Sequence, residues 1–225
     1  TGGRVAAVGA ADEPTPEAAE RIDAGGRELP DRLDRPPAVA DPQDRFGIDP
    51  VAGGVNWCRQ NITSRYPNFE FRHIDIAHDL YNPKGAVNGL TLTLPFADKS
   101  FDFVIMTSVV THLPSDEVKT YLDQVSHVLA PGGKLFMTAF VVDDVAARDR
   151  NGKRDKRLAF ERHGSGPCWF VPELPPLAAV GFENGFLDRA LAGAKLTLDT
   201  KSFGHWRGIE ADHYQDIFIA SRGAA

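Results

Sequence analysis

From Phe46 onward the chain alternates short apolar runs with amphipathic ones. Residues 46–49 (FGID) make a short apolar run closed by an acid, which predicts a buried strand. In 55–66 (VNWCRQNITSRY), Val55, Cys58 or Arg59, and Ile62 fall at helical spacing, and Pro67-Asn68 closes the segment. In 69–75 (FEFRHID), Phe69, Phe71, His73 and Asp75 alternate with Glu70, Arg72 and Ile74, the two-residue period of a strand. A polar connection containing Gly, Asn and Pro runs to about Asn88, and FDFVIMTS (101–108) reads as the next strand. Ser115 is placed to cap a helix whose first turn carries Asp116 and Glu117, where carboxylates suit the positive end of the helix dipole. Behind it Val118, Tyr121, Leu122, Val125, Val128 and Leu129 recur at steps of three and four, which makes one apolar face. Pro131-Gly132-Gly133 stops that helix and KLFMTAFVV (134–142) reads as a further buried strand. FLDRALAGA (186–194) predicts a helix, then KLTLDTKSF (195–203) and YQDIFIASR (214–222) predict two last strands around the turn-like GHWRGIEAD (204–212).

Strands alternating with helices predict a parallel sheet with crossover helices, an α/β fold. Residues 1–45 differ: they hold no Phe, Tyr, Trp or Met, and their apolar clusters are confined to Val5–Val8 and the surroundings of Leu29–Leu33. Such a stretch buries little surface, so the expected organisation is an atypical, partly disordered segment over 1–45 and one domain over 46–225.

Composition narrows the function classes. With 225 residues and a formal net charge of -6, the chain supports one sizeable core but no broad basic field for a phosphate backbone. Lysines and arginines are scattered except for RDRNGKRDKR at 148–157, so no nucleic acid partner is expected. The two cysteines, Cys58 and Cys168, belong to no CxxC spacing, which argues against a disulfide framework or a metal knuckle and suits a reducing cytoplasm. No apolar run approaches the roughly 20 residues of a membrane helix, so no membrane partner is expected either.

On several stretches in order, the chain resembles the class I S-adenosylmethionine-dependent methyltransferases. GIDP (47–50) is similar to the acidic end of that family's second strand, and HID (73–75) to the acid closing the third. LPFADKSFDFVIMTSVVTHL (94–113) resembles the approach to and end of the fourth strand, and YLDQVSHVLAPGGKLFMTAF (121–140) the helix, Pro-Gly-Gly turn and fifth strand. The likeness runs from Phe46 to Arg222. GHWRGIEADHYQDIFIASR (204–222) also resembles the last turn and strand of some small-molecule methyltransferases. The resemblance implies a Rossmann-like, mostly parallel sheet with a C-terminal antiparallel strand, S-adenosylmethionine as cofactor, and methyl transfer to a small-molecule acceptor.

In such a sheet the ligand lies outside the carboxyl ends of the strands, and the resemblance assigns residues there. Asp49, with Pro50 after it, is placed to accept hydrogen bonds from the ribose hydroxyls, or else to cap the following helix. Asp75, with the backbone of Ile76, is placed at the adenine edge, or is a solvated loop acid. Thr107 and Ser108 line the cavity beside the methionine portion. His112 is the candidate catalytic base, its alternative being local packing. His163, His205 and Tyr214 are further candidate bases for a hydroxyl acceptor, and Trp206 either walls an acceptor pocket or packs in the core. Residues 143–176 occupy the place of acceptor-recognition structure, and their basic run either meets an acidic substrate or is a solvated loop.

One motif departs from the family. Its glycine-rich loop after the first strand belongs about twenty residues ahead of Asp49, but GGRELPDRLDRPPAV supplies neither strand nor GxGxG turn. The nearest echo, RVAAVGAADE (4–13), lies further upstream, with Ala11 and Glu13 in place of further glycines. An insertion with a degenerate loop, an altered N-terminal segment, and a methyltransferase-like protein that kept the fold without the reaction all remain open. A nicotinamide-dependent oxidoreductase also uses an acid at the second strand, but it needs GxGxxG, which the chain lacks.

Overall fold

The computed structural model describes residues 5–9, 44–149, 152–162 and 164–224, the first five by backbone alone. Seven strands form one sheet in the order β3-β2-β1-β4-β5-β11-β10: β1 Val5–Gly9, β2 Arg45–Asp49, β3 Phe69–His73, β4 Phe101–Thr107, β5 Leu129–Ala139, β10 Leu196–Ser202 and β11 Asp216–Arg222. The pairs β1/β2, β1/β4, β2/β3 and β4/β5 are parallel, and β11 runs antiparallel to both β5 and β10. The order reverses at β1, so the crevice of an open α/β sheet is expected above the ends of β1, β2 and β4. Because Asp216 pairs with Ala139, the start of β11 stands on the same edge as the end of β5.

The central strand is the one placed by the distant echo. Val5–Gly9 pairs with β2 on one side and β4 on the other, with Gly9 opposite Thr107. A stretch that composition separates from the domain thus supplies the middle of the sheet, in keeping with the insertion reading; residues 10–43 lie outside the described residues.

Helix α1 (Ala52–Cys58) continues through a wider turn at Arg59–Thr63 and covers the β3 edge. Arg59 Nε donates to the Phe71 carbonyl at 2.7 Å and Thr63 Oγ1 to the Phe69 carbonyl at 2.7 Å, so two outward carbonyls of the edge strand are satisfied. Helix α2 (Ser115–Val128) buries the predicted face of Val118, Tyr121, Leu122, Val125 and Val128 and packs beside α4 (Phe186–Gly193). Its ends differ from expectation. Pro114, not Ser115, is the N-cap, with its backbone extended, while the Ser115 hydroxyl bonds the Cys168 thiol. At the other end the helix stops at Val128 and Leu129 already pairs in β5, so Pro131-Gly132-Gly133 forms a bulge within the strand, with Gly132 at φ +76.

After β5 a second sheet forms in the order β6-β9-β8-β7: β6 Val141–Val142, β7 Glu161–Arg162, β8 Cys168–Phe170 and β9 Val180–Glu183, with a short helix α3 (Asp144–Arg148) in between. Its own core holds Phe140, Leu158, Phe160 and Trp206. Trp206 is 1% exposed, with Phe140 and Phe160 at 5.1 and 5.6 Å between ring centroids, so it packs in the core and walls no pocket. Asp216 fastens this unit to the last strand: its buried carboxylate accepts from Val141 N (2.6 Å), Gly204 N (2.8 Å) and Trp206 Nε1 (3.0 Å). A Cβ on Gly204 would stand 2.0 Å from the Tyr214 carbonyl oxygen. Gly204→Ala is therefore expected to cost about 2 kcal/mol or more in a denaturant melt, the range of an overpacked core position; an unchanged midpoint would show that the turn gives way freely.

No helix of the described residues is long and apolar enough to cross a membrane.

Candidate active site

At the end of β2, Asp49 turns the chain into α1 by accepting the Val51 amide on Oδ1 at 2.7 Å. It is not the N-cap, which is Val51 without a side-chain cap. No lysine or arginine among the described residues pairs with Asp49. Burial pushes its carboxyl up to about 6 against the opposing pull of the Val51 hydrogen bond. A half-buried carboxylate with one donor retains acceptor capacity for others.

Asp75, two residues past β3, is exposed and serves its own loop. It accepts from Asn82 Nδ2 at 2.9 Å and from Ala86 N at 3.2 Å, and these bonds, Asn82 first, hold its carboxyl below the usual range. The Ile76 amide donates to the Ile74 carbonyl at 2.8 Å, while the Ile76 side chain is buried. Ile76 faces the crevice through its side chain, and the Asp75 carboxylate is held by the connection that follows.

At the end of β4, Thr107 is exposed and Ser108 adopts φ +55, a left-handed conformation that costs a non-glycine residue roughly 1 kcal/mol. Three bonds hold it there. Its amide donates to Thr138 Oγ1 (2.9 Å), its Oγ accepts from Gln215 Nε2 (2.9 Å), and Thr138 Oγ1 donates to Gln215 Oε1 (2.5 Å). The ends of β4 and β5 and the start of β11 are thereby joined by hydrogen bonds on the crevice edge. Thr138 and Gln215 were not anticipated; the available signal was a hydroxyl and an amide at strand ends that meet on one edge.

His112 closes a 3-10 turn after β4 and is 9% exposed. Its Nδ1 lies 3.0 Å from the Leu177 carbonyl oxygen, so Nδ1 carries the proton of that bond. His78 Nε2 donates to the His112 carbonyl at 2.8 Å, and His78 Nδ1 accepts from the Leu80 and Tyr81 amides at 3.2 and 3.4 Å, which fixes the His78 tautomer. The Tyr81 ring stands edge-on to His112, with its hydroxyl 3.3 Å from Nδ1. Beside this cluster lies a cavity of about 30 Å³, walled by Ile48 and Pro50 on either side of Asp49, by Ile74 and Ile76, by Leu92, Val109 and Leu113, and by Tyr121 from α2.

The other candidate bases are occupied elsewhere. Tyr214 donates to Asp155 Oδ2 at 2.6 Å, and burial, with Asp155 beside it, pushes its hydroxyl up to about 12. His205 is exposed and packs on the Tyr214 ring at 5.4 Å. His163 lies outside the described residues. In the basic run, Arg148 pairs with Asp144, Arg154 donates to the Ala146 carbonyl at 2.7 Å and Arg157 pairs with Asp155, so these charges serve the loop itself. Among the described residues no group of three His, Cys, Asp or Glu side chains is placed to hold a metal ion.

Residues 38–137, somewhat under half of the chain, match the model of the methyltransferase domain family. Among solved structures the chain is similar to a SAM-dependent methyltransferase of Methanosarcina mazei, at 17% identity and a TM-score of 0.52 over 81% of this chain and 83% of that one. The cyclase SpnF matches at 14% identity and a TM-score of 0.54, over 100% of this chain and 76% of that one. A methyltransferase of Haloferax volcanii, solved with the activator Trm112, matches at 11% identity and a TM-score of 0.52, over 99% and 83%. At these identities the structural likeness establishes the fold.

Proposed function

Since the chain carries a class I methyltransferase domain, we propose that it transfers the methyl group of S-adenosylmethionine to a small-molecule acceptor. The observation that carries this reading is Asp49: an acid at the end of β2, without a cation and with its carboxyl raised by burial, beside an apolar slot at the reversal of strand order. An acid so placed suits two ribose hydroxyls as donors. Pro50, Ile76, Val109 and Leu113 flank the base, and Thr107 and Ser108 face the methionine portion. Asp75 acts at one remove, by shaping the loop behind Ile76.

The donor, when bound, supplies a sulfonium with its own leaving group. What the protein adds is alignment of the acceptor with the methyl carbon and exclusion of water. The Ser108, Thr138 and Gln215 bonds fix the far wall of the crevice, where an acceptor approaches. The net charge of -6 and the self-satisfied arginines favour a small acceptor over a nucleic acid. Cys58 and Cys168 are free thiols, which suits the cytoplasm. The test is incubation with S-adenosylmethionine carrying a labelled methyl group and a cell extract: label is expected in the small-molecule fraction, and label confined to protein or RNA would overturn the acceptor class.

His112 is assigned a positioning role, since its ring fastens the Leu177 connection to the end of β4. His112→Asn is expected to cost about 1–2 kcal/mol of stability, the worth of a buried hydrogen bond and its packing, and to leave the pH profile of kcat unchanged. A loss of about 100-fold or more in kcat, with a limb near neutral pH removed, would instead make it the general base.

A further inference from the structure

A second cavity, of about 480 Å³, opens between α2 and α4, a size at which pockets hold a small organic molecule. Helix α2 presents Lys119 and Asp123 to it. These stand two residues to either side of Tyr121, about 200° round the helix from it, and Tyr121 lines the slot beside Asp49. The thickness of α2 therefore separates this groove from the crevice. From α4 come Phe186, Arg189, Ala190, Gly193 and Ala194, the i, i+3, i+4, i+7, i+8 pattern of a single helix face. That face leaves a groove because it is small past Phe186, and a Cβ added at Gly193 would meet nothing within 4 Å.

The charges on the two walls decide what enters. On the α4 side the Glu183 carboxylate is shared by two guanidiniums, Arg162 at 3.1 Å and Arg189 at 2.9 Å, which leaves that wall one positive charge in excess. On the α2 side Lys119 pairs with Asp116 at 2.9 Å, while Asp123 has no cation within 4.0 Å among the described residues, which leaves one negative charge in excess. Asp123 and Arg189 thus line one groove without reaching each other. Between them lies an apolar floor of Phe186, Ala190 and Ala194, none more than 8% exposed. A plain anion or a plain cation would be drawn by one wall and repelled by the other, whereas a zwitterion with an apolar body satisfies both walls and the floor.

We propose that the groove between α2 and α4 is a second ligand site, which takes a zwitterionic amino acid with a large apolar side chain. The carboxylate meets Arg189, the ammonium meets Asp123, and the side chain lies on Phe186, Ala190 and Ala194. Two of these groups are held before any ligand arrives: the Phe186 ring stacks on Phe182 at 5.1 Å, and Arg189 is fastened by Glu183. Ser165 and Pro167 add a third wall, tied to β9 by the Glu183 amide, which donates to the Pro167 carbonyl at 2.8 Å. With three walls the groove suits a compact molecule over an extended chain. The site stands apart from the donor crevice and does not depend on it.

The test is titration of isotope-labelled protein, read by amide NMR shifts, with three probes: L-phenylalanine, N-acetyl-L-phenylalanine, which lacks the ammonium, and L-phenylalaninamide, which lacks the carboxylate. L-phenylalanine is expected to shift the amides of α2 and α4 around the groove and to saturate. Each capped analogue is expected to bind about fivefold more weakly, the worth of one exposed ion pair. Asp123→Asn should weaken L-phenylalanine about fivefold and leave N-acetyl-L-phenylalanine unaffected. Arg189→Gln, which leaves Glu183 to Arg162 alone, should do the same with the amide as the unaffected compound. Both side chains are exposed, so neither substitution disturbs the core. Absence of a saturable shift at the groove with L-phenylalanine, or equal binding of all three compounds, overturns the proposal. Shifts confined to the residues around Asp49 overturn it too, since they would put the amino acid in the crevice.

Discussion

Asp49→Asn is expected to weaken S-adenosylhomocysteine binding by about 100-fold and, at neutral pH, to raise the melting temperature. The binding loss follows from replacing a charged acceptor of two hydroxyl donors by an amide, at about 1.5–3 kcal/mol for a hydrogen bond to a charged group. The stability gain follows from linkage. The Asp49 carboxyl is raised from 3.8 to about 6 in the folded protein, so folding favours its protonated form. That favourable contribution is fully present below the unfolded value and is lost as pH rises through the folded one, which leaves the charged acid a burden at pH 7. A shift of this size corresponds to roughly 3 kcal/mol, reduced to about 1–2 by the solvent that still reaches the group. Asparagine keeps the acceptor for the Val51 amide without the charge. Thermal melts of both proteins at pH 7 and near pH 4 check the sign: the variant is more stable at pH 7 and the advantage disappears near pH 4. Wild-type affinity for the ligand should likewise fall as pH drops below about 6. A variant that melts lower than wild type at pH 7 would show that the Asp49 charge is compensated in the fold.

Asp216→Ala is expected to be the most damaging single change outside the crevice, costing about 4 kcal/mol or more. The substitution strands three donors, the Val141 and Gly204 amides and the Trp206 indole, where solvent does not reach. Each such group costs about 1–3 kcal/mol without an acceptor. Domains of this size keep only about 5–15 kcal/mol in total. The loss concerns the attachment of the second sheet to β11, so near-ultraviolet signals from Trp206 should fade first in a denaturant titration. Asp216→Asn, which keeps one acceptor oxygen, should fall between. If the alanine variant unfolds at the wild-type denaturant concentration, the carboxylate does not hold the unit together.

These expectations draw unequally on sequence and structure. The strands at Arg45–Asp49, Phe101–Thr107 and Asp216–Arg222 and the buried face of α2 follow from periodicity, because burial on one face writes itself into the spacing. Asp49 was legible for a related reason, as an acid closing an apolar run is rare except where a strand meets a ligand edge or a helix start. The central strand was not placed. VAAVG is short, and residues 10–43 separate it from the neighbour with which it pairs. The Ser108, Thr138 and Gln215 bonds were invisible for the same reason, since they join positions 30 and 107 residues apart. Tyr121 shows a different limit, in that a spacing of three and four reports where a ring packs but not where its hydroxyl points. At Pro131-Gly132-Gly133, turn residues marked a change of direction, and only the pairing with β4 reveals a bulge instead of a helix stop.

The central claim, that this crevice binds the methyl donor, is tested most directly by isothermal titration of S-adenosylhomocysteine into the wild-type protein at pH 7. Saturable binding at one site per chain, weakened about 100-fold in Asp49→Asn, is the predicted result. No heat and no thermal shift, from a protein shown by circular dichroism to be folded, would contradict it and leave a methyltransferase fold without its cofactor.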